Sequence, residues 1–362
     1  MCCFRQQRLL RGRSAMKSRL YGLDGLRGLA AVAVVFFHYS VKYDQVYGQS
    51  AAVGLPFAFV PGQWGVELFF MISGYVIFMT LDKTRHAVDF LVSRFSRLYP
   101  AYWVALLTTF VVLHLGALPD KQVGFAQLAV NASMVQSFVG VRHVDGVYWS
   151  LQVELAFYLW MLLFWATGLL RHVVYILVVW LCASALVHIE PGLLGEWRPA
   201  AMQWLILRYI PYFAVGMGVF LWSSRRLSTR ATLALCALCL LAVKPASDHA
   251  RLAVSVALVP LFWAAVSGRL AILETRVPVF LGAISYPLYL VHQNLGYAAI
   301  RGLIRSGWTG PAAAAAALAM SITLAWALHR LVEGPAMHFI RERYRRRARI
   351  TRAQAHAEAG SA

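Results

Sequence analysis

The chain has 362 residues, of which 60% are hydrophobic and only 14% are charged, and its formal net charge at neutral pH is +19. This composition, with a mean hydropathy of +0.61, excludes a water-soluble globular protein of this length. The positive charge does not call for nucleic acid as a partner, because basic residues beside membrane segments set topology and contact anionic lipid.

Apolar runs that approach the length of a membrane span follow one another along the chain. We therefore predict an all-α integral membrane protein with about ten transmembrane helices. The predicted spans are 24–43, 64–81, 99–117, 149–170, 172–189, 201–222, 231–243, 252–268, 279–300 and 311–332. An amphipathic segment at 122–140 is predicted to lie on the surface or to re-enter the membrane.

The basic residues predict that both termini are cytoplasmic, because cytoplasmic loops carry an excess of Lys and Arg. On a ten-span topology, 24 of the 34 basic residues lie inside and eight lie outside. We divide the chain into a basic cytoplasmic N-terminal extension at 1–20, a membrane domain at 21–335 and a basic cytoplasmic C-terminal tail at 336–362. The His and Cys residues lack the usual ligand spacings, so no metal site is predicted.

The first predicted span contains Arg27 and His38, and ionisable side chains inside a membrane mark functional sites by default. A helix rises about 1.5 Å per residue, so His38 lies about 21 Å along the span, in its outer half. The same count places Glu67, Glu154 and His292 near that level. A carboxylate beside an imidazole lets the ring take a proton from a hydroxyl, so His38, Glu154 and Glu67 are predicted to be catalytic. Alternatively, these groups form hydrogen bonds that only link helices.

The predicted inner end of the third span carries Arg94 and Arg97, which lie one helical turn apart and point the same way. Guanidinium groups bind phosphates bidentately, so a phosphorylated donor could dock here from the cytoplasm. The alternative is an ordinary basic cluster that sets topology. Arg27, about 16 Å along the helix from His38, is the third predicted donor-binding residue.

Six segments, in this order, resemble the acyltransferase-3 family of membrane-bound acyltransferases that modify surface polysaccharides. They are LDGLRG at 23–28, GVELFFMISGY at 65–75, RFSRLYP at 94–100, WSLQVE at 149–154, ISYPLYLVH at 284–292 and VEGP at 332–335. Ten residues separate Arg27 of the first segment from His38. The resemblance covers nearly all of residues 20–335.

The resemblance implies a multi-pass enzyme of the bacterial inner membrane. Such an enzyme takes an acyl group, usually acetyl, from cytoplasmic acyl-CoA and transfers it to a hydroxyl of an extracytoplasmic glycan, such as lipopolysaccharide or exopolysaccharide. His38 is then the catalytic residue, Glu154 its acidic partner, and the segment of Arg94 and Arg97 the donor-binding element. Acyl-CoA is a substrate, and no permanently bound cofactor is predicted.

Further residues in these segments are predicted to line the site, and Gly74 and Gly282 are predicted to allow close approach of helices. The predicted lining residues are Ser73, Tyr75, Trp149, Ser150 and His292. In the loop before Trp149, His143 and Asp145 are candidate contacts for the acceptor.

Several alternatives stay open at this stage. His38 acts either as a general base or as a carrier of the acyl group. A second enzymatic alternative is hydrolysis, or the transfer of another group such as succinyl or a longer acyl chain, in the same pocket. The alternative function is a proton-coupled transporter or flippase that uses the intramembrane His and Glu residues, although no internal repeat is visible. A catalytically silent scaffold would tolerate the loss of His38.

Overall fold

The computed structural model describes residues 21–48 and 58–361, with side chains described up to residue 347. The predicted extension at 1–20 lies outside the described residues. Every regular element in the described part of the chain is helical. The helices are α1 (21–47), α2 (Gly65–Leu81), α3 (Ala87–His114), α4 (Phe125–Asn131), α5 (Trp149–Ala166), α6 (Val173–Ile189), α7 (Arg198–Trp204), α8 (Ile210–Ser223), α9 (Thr229–Val243), α10 (His249–Val266), α11 (Arg276–Val291), α12 (Asn294–Arg305), α13 (Gly310–Leu328) and α14 (Gly334–Ser361).

Shorter helical turns interrupt or connect these helices. A π-helical turn at His38–Lys42 lies within α1, and a second one at His329–Glu333 joins α13 to α14. The 3₁₀ turns are Val60–Trp64, Pro119–Lys121, Gln136–Val139, Gly146–Tyr148, Leu169–His172, Gly195–Trp197, Lys244–Ala246 and Ala271–Glu274.

Capping residues in the sequence set several helix boundaries. The side chains of Ser228 and Asp248 precede α9 and α10 and accept hydrogen bonds from backbone amides in the first turn. Gly168, Gly268 and Gly307 have positive φ angles just after α5, α10 and α12, where a left-handed residue ends a helix. These local signals explain why the apolar runs divide where they do.

The described residues confirm a helical membrane protein, while the count of ten spans stays a prediction. Seven segments, which contain α2, α3, α5, α6, α9, α10 and α13, are long and apolar enough to cross a membrane. Two shorter apolar helices, α8 and α11, and the helix α1 lie outside that set. The segment at 122–140 contains the seven-residue α4 and a short 3₁₀ turn, and α4, about 10 Å long, cannot span about 30 Å of hydrocarbon.

The predicted continuous span at 201–222 is wrong, because the backbone breaks between α7 and α8. Ile206 has a φ of 45° in this break. The carbonyl oxygens released there are not left without partners: those of Trp204 and Leu205 accept hydrogen bonds from the indoles of Trp160 and Trp180, both at 2.8 Å. Hydrogen bonds from neighbouring helices thus make an irregular backbone tolerable at membrane depth.

The predicted continuous span at 279–300 is also wrong, because α11 ends at Val291 and α12 begins at Asn294. A carboxylate oxygen of Asp145, from a distant loop, accepts a hydrogen bond from the backbone amide of Asn294 at 3.0 Å. This long-range contact satisfies an amide at the start of α12. The break lies directly after His292 and therefore affects the geometry of the site.

Glycine residues let helix backbones touch at several places, and two of these were predicted. A Cβ atom at Gly74 would overlap the carbonyl oxygen of Phe213, so α2 and α8 are in backbone contact. A Cβ atom at Gly282 would overlap the carbonyl oxygen of Asp24, which brings α11 against α1. The predicted roles of Gly74 and Gly282 in close helix packing are thereby confirmed.

Replacing Gly282 with alanine should lower the yield and the thermal stability of folded protein, because the added methyl group forces α1 and α11 apart. Overpacking of this kind costs about 1–3 kcal/mol or more. Gly302→Ala is the matched control, since a Cβ atom at Gly302 meets nothing within 4 Å. Size-exclusion profiles and melting temperatures in detergent measure both effects. Equal profiles for the two variants would contradict the inferred backbone contact.

The first part of the predicted C-terminal tail belongs to the helical bundle. Helix α13 continues through its π-helical turn into α14, so the predicted boundary at 335 falls inside one continuous helical segment. Helix α14 packs against α3, where the hydroxyl of Tyr344 donates a hydrogen bond to Asp89 at 2.8 Å. This contact brings basic residues of the tail close to the segment of Arg94 and Arg97.

Candidate active site

A cavity lies between α2, α3, α5 and α11, with one side chain contributed by α1. On α2 its lining extends from Val66 to Ile77, about 16 Å along the helix axis. Six of the residues predicted from the sequence line it: Arg27, Ser73, Arg94, Arg97, Ser150 and Glu154. Residues predicted on four separate spans therefore share one site.

The three predicted donor-binding arginines are brought together in this cavity. Arg27 interacts with Asp24, with 3.3 Å between Nη1 and Oδ1. Arg97 forms an ion pair with the buried carboxylate of Glu333, with 2.6 Å between Nη1 and Oε1. Arg94 has no carboxylate within ion-pair distance among the described residues. Arg94 is therefore the member of the three that is best able to take an external anion.

Glu154 also lies in the cavity, but it does not orient His38 as predicted. Its Oε1 accepts hydrogen bonds from the hydroxyls of Ser73 and Tyr158, each at 2.6 Å. Its negative charge acts on Arg27 in the same cavity. The predicted pairing with His38 is corrected because depth along a helix gives the level of a side chain and not the direction in which it points.

His38 is paired instead with the second predicted histidine. The Nε2 atom of His292 lies 3.3 Å from Nδ1 of His38, and the two rings are nearly perpendicular, at 78°. Nδ1 of His38 also lies 2.8 Å from the carbonyl oxygen of Val34. A carbonyl can only accept, so Nδ1 of His38 carries a proton.

The partner ring can be assigned in the same way. Nδ1 of His292 lies 2.8 Å from the carbonyl oxygen of Tyr289 and is therefore protonated. Its Nε2 is then an acceptor, and the single Nδ1–H group of His38 is shared between the carbonyl oxygen of Val34 at 2.8 Å and this Nε2 at 3.3 Å. With Nδ1 protonated, Nε2 of His38 carries a lone pair, a state assigned from the hydrogen-bond network. Nε2 of His38 has no hydrogen-bond partner within the described ranges. His38 can thus accept a proton at Nε2.

Both histidines lie where a regular helix is interrupted. His38 is the first residue of the π-helical turn in α1, and His292 directly follows the last residue of α11. The hydroxyl of Tyr39 donates a hydrogen bond to the carbonyl oxygen of His292 at 2.9 Å, which links the two interruptions. π-helical turns are frequent at functional sites.

Tyr289 connects the histidine pair to the cavity. The side chain of Tyr289 lines the cavity, and its ring centroid lies 5.6 Å from that of His292. Its hydroxyl lies 2.7 Å from Oγ of Ser150, which is also in the lining. The histidines themselves lie behind Tyr289, outside the cavity lining.

Glu67, the third predicted catalytic residue, does not join this site. Its side chain is buried in the first turn of α2, and Oε2 has no hydrogen-bond partner within the described part of the chain. The charges that act on it are those of Arg208 and Arg251. The prediction that Glu67 could orient His38 is therefore corrected.

Two predicted lining residues also face elsewhere. The hydroxyl of Tyr75 lies 3.1 Å from Oγ of Ser223, on the side of α2 that packs against α8. The ring of Trp149 packs against Tyr209, with 5.1 Å between the centroids. Both side chains support the wall behind the cavity.

The loop before α5 has a structural role. Asp145 is fully buried, and its carboxylate accepts hydrogen bonds from the amides of Val147 and Asn294. Burial raises the pKa of Asp145 to about 6. His143 is bound to the side chains of Gln136 and Ser137. Asp145 thus holds the chain just after His292 and is not available to an acceptor.

Sequence reasoning missed three functional residues of the site. Glu333 belongs to the VEGP segment but had no predicted role, and it binds both Arg97 and His329. Tyr158 lies four residues after Glu154, a spacing that places both on one helix face and could have revealed it. Tyr289 lies three residues before His292 and could have been found in the same way.

The cavity joins the clustered arginines to Tyr289, whose ring packs beside His292 of the histidine pair. Residues 20–330 match the acyltransferase-3 family, described as an acyltransferase domain. The match covers well over half of the chain, so this protein belongs to that family.

The chain is similar to several curated proteins over part of its length. It is 30% identical to "Acyltransferase MdmB" of Streptomyces mycarofaciens over 39% of this chain and 38% of that protein. It is 30% identical to "Nodulation protein 10" of Rhizobium leguminosarum bv. viciae over 44% of this chain and 45% of that protein. "Putative acetyltransferase ORF330" of Acidianus two-tailed virus is 28% identical over 37% of each chain. The matched stretches thus span less than half of these relatives, and no solved structure matches the chain.

Proposed function

We propose that this protein is a multi-pass O-acyltransferase of a bacterial inner membrane that moves an acyl group, acetyl in the first instance, from cytoplasmic acyl-CoA to a hydroxyl of an extracytoplasmic glycan. One observation carries the proposal. Arg27, Arg94 and Arg97 share a cavity whose lining also includes Tyr289, the neighbour of His292. This cavity extends from a region suited to phosphates to Tyr289, which lies beside the histidine pair.

The donor would bind with its phosphates at the arginines, because guanidinium groups are strongly suited to phosphate oxygens. The pantetheine arm would extend along the cavity beside α2 and bring the thioester towards Tyr289. Before the donor binds, the negative charge of Glu154 would offset part of the positive charge of the arginines, since it acts on Arg27.

The transfer step follows from the free ring nitrogen of His38. Nε2 takes the proton of the acceptor hydroxyl as the hydroxyl oxygen attacks the thioester carbonyl. The carbon–sulfur bond then breaks, and the CoA thiolate receives the proton from His38. While His38 is an imidazolium, its Nδ1–H group is shared between the carbonyl oxygen of Val34 and Nε2 of His292, and both acceptors stabilise its charge. A second route, with the acyl group carried briefly on Nε2, uses the same atoms.

The proposal is tested by reconstituting the protein in vesicles and supplying acetyl-CoA labelled in the acetyl group. Label should pass to a glycan fraction from the same bacterial source only when the protein is present. Succinyl-CoA and longer acyl-CoA donors, used in parallel, determine which acyl group is transferred. No transfer with any acyl-CoA would refute the proposal, and proton-coupled transport through the histidine pair would then be measured instead.

A further inference from the structure

The C-terminal helix adds a fourth arginine to the donor end of the site. Arg341 of α14 donates from Nε to Oγ of Ser96 at 3.0 Å and from Nη2 to the carbonyl oxygen of Ser93 at 3.2 Å. Arg94 donates to the hydroxyl of the same Ser93 at 3.1 Å. The guanidinium groups of Arg94 and Arg341 are therefore both held at Ser93 of α3.

This cluster has an excess of positive charge. Glu333 is bound to Arg97, Asp89 accepts from Tyr344, and Glu342 pairs with His338 and Arg346. Within the described ranges, no carboxylate lies within ion-pair distance of Arg94 or Arg341. The positive charges of Arg94, Arg97 and Arg345 all act on Arg341.

Arg94 also has an unused buried donor. Its Nε atom is shielded from solvent and has no hydrogen-bond partner in the part of the chain that the structure describes. A buried polar group without a partner is unfavourable, and like charges held together repel each other. Both conditions are relieved when an anion with several acceptor oxygens binds between the two arginines.

We propose that Arg341 is a donor-binding residue that holds, together with Arg94, a phosphate group of the nucleotide end of acyl-CoA. The assignment rests on the proposed function. Arg94 lines the cavity, while Arg341 reaches the same segment from outside the lining. The phosphate would therefore lie at the entrance while the pantetheine arm occupies the cavity. The C-terminal helix thereby becomes part of the donor site.

The test compares acetyl-CoA with acetyl-pantetheine, which has the same thioester but no phosphate. Arg341→Ala should raise the KM for acetyl-CoA about tenfold or more, as expected for losing charge-assisted hydrogen bonds to phosphate. Its kcat should stay within about twofold of the unaltered value, and its KM for acetyl-pantetheine should not change, because this donor lacks the group that Arg341 binds.

Two control variants separate binding from charge and from helix docking. Arg343→Ala removes one positive charge from the same helix, but Arg343 is exposed and lies over the ring of Phe339. Tyr344→Phe removes a hydrogen bond that docks α14 on α3 without changing the charge. Neither control should raise the KM for acetyl-CoA more than about twofold.

Each other outcome overturns the inference. An unchanged KM in Arg341→Ala would show that Arg341 does not bind a phosphate of the donor. An equal rise for both donors, or an equal rise in Tyr344→Phe, would show that helix docking alone matters. Absence of transfer by the unaltered protein would overturn the proposed function as well, so the two failures are distinguishable.

Discussion

Replacing His38 with alanine should reduce acyl transfer from acetyl-CoA by about 10²- to 10⁴-fold, the usual contribution of a positioned general base. The variant loses the Nε2 atom that takes the proton of the acceptor hydroxyl. The arginine end of the cavity is untouched, so labelled acetyl-CoA should still bind with nearly the same affinity. Transfer of label to the acceptor and equilibrium binding of the donor measure these two effects separately.

His114→Ala provides a matched control for His38→Ala. Nδ1 of His114 lies 3.0 Å from the carbonyl oxygen of Phe110, four residues earlier, as Nδ1 of His38 does from Val34. His114 ends α3 and lies outside the cavity lining. Its loss should leave transfer unchanged. Equal activity of the His38 variant and the control would show that His38 only supports the fold.

The same variant separates the two routes that involve His38. If Nε2 carries the acyl group, unaltered protein mixed with labelled acetyl-CoA and no acceptor should retain protein-bound label that His38→Ala lacks. If His38 is only a general base, neither protein should retain label. Acid-quenched samples analysed by mass spectrometry would locate any acylated residue.

Replacing His292 with phenylalanine should lower kcat by about 10- to 100-fold while the KM for acetyl-CoA changes little. The variant keeps an aromatic ring but removes Nε2, which shares the Nδ1–H group of His38 with the carbonyl oxygen of Val34. A hydrogen bond to a charged group contributes about 1.5–3 kcal/mol. The loss should appear in kcat, because the imidazolium forms only during transfer.

A purely structural role for His292 would give a different pattern. His292→Asn keeps a polar side chain with an acceptor oxygen and should recover part of the lost kcat. His188→Phe is the matched control, since Nδ1 of His188 lies 2.7 Å from the carbonyl oxygen of Ser184, far along the chain from the site. Equal kcat losses in all three variants, with reduced folded yield, would rule out the proposed hydrogen bond.

The sequence predicted the chemical parts of the site better than their pairing. The three arginines converge as predicted. Each one was placed at the cytoplasmic end of a predicted span, so all three were expected at the same level. Glu154 was assigned to His38 by depth and by the family resemblance, and neither determines which way a side chain faces around its helix. Glu154 instead accepts hydrogen bonds from Ser73 and Tyr158. These partners depend on how each helix is oriented about its own axis, which residue spacing does not reveal.

The histidine pair could be predicted only in part. His292 was placed near the level of His38, but a continuous helix was assumed where α11 ends at Val291. The break depends on Asp145, which lies 149 positions away in the chain and binds the amide of Asn294. Periodicity within a span carries no information about such a distant contact, and the same holds for Glu333 beside Arg97.

Helix α1 is a regular α-helix over residues 21–37, and His38 is the first residue of its π-helical turn. The segment from Arg27 to His38 therefore follows regular helical geometry. Eleven residues at about 100° each make three turns and about 20°, so both side chains leave the helix on nearly the same face. They are separated along the axis by about 16 Å. Helix α1 therefore fixes both the distance and the relative direction of these two side chains. Adding or deleting one residue between Arg27 and His38 would rotate one side chain about the helix axis by about 100° relative to the other. Under the proposed function, donors are selected by the length between their charged end and their thioester.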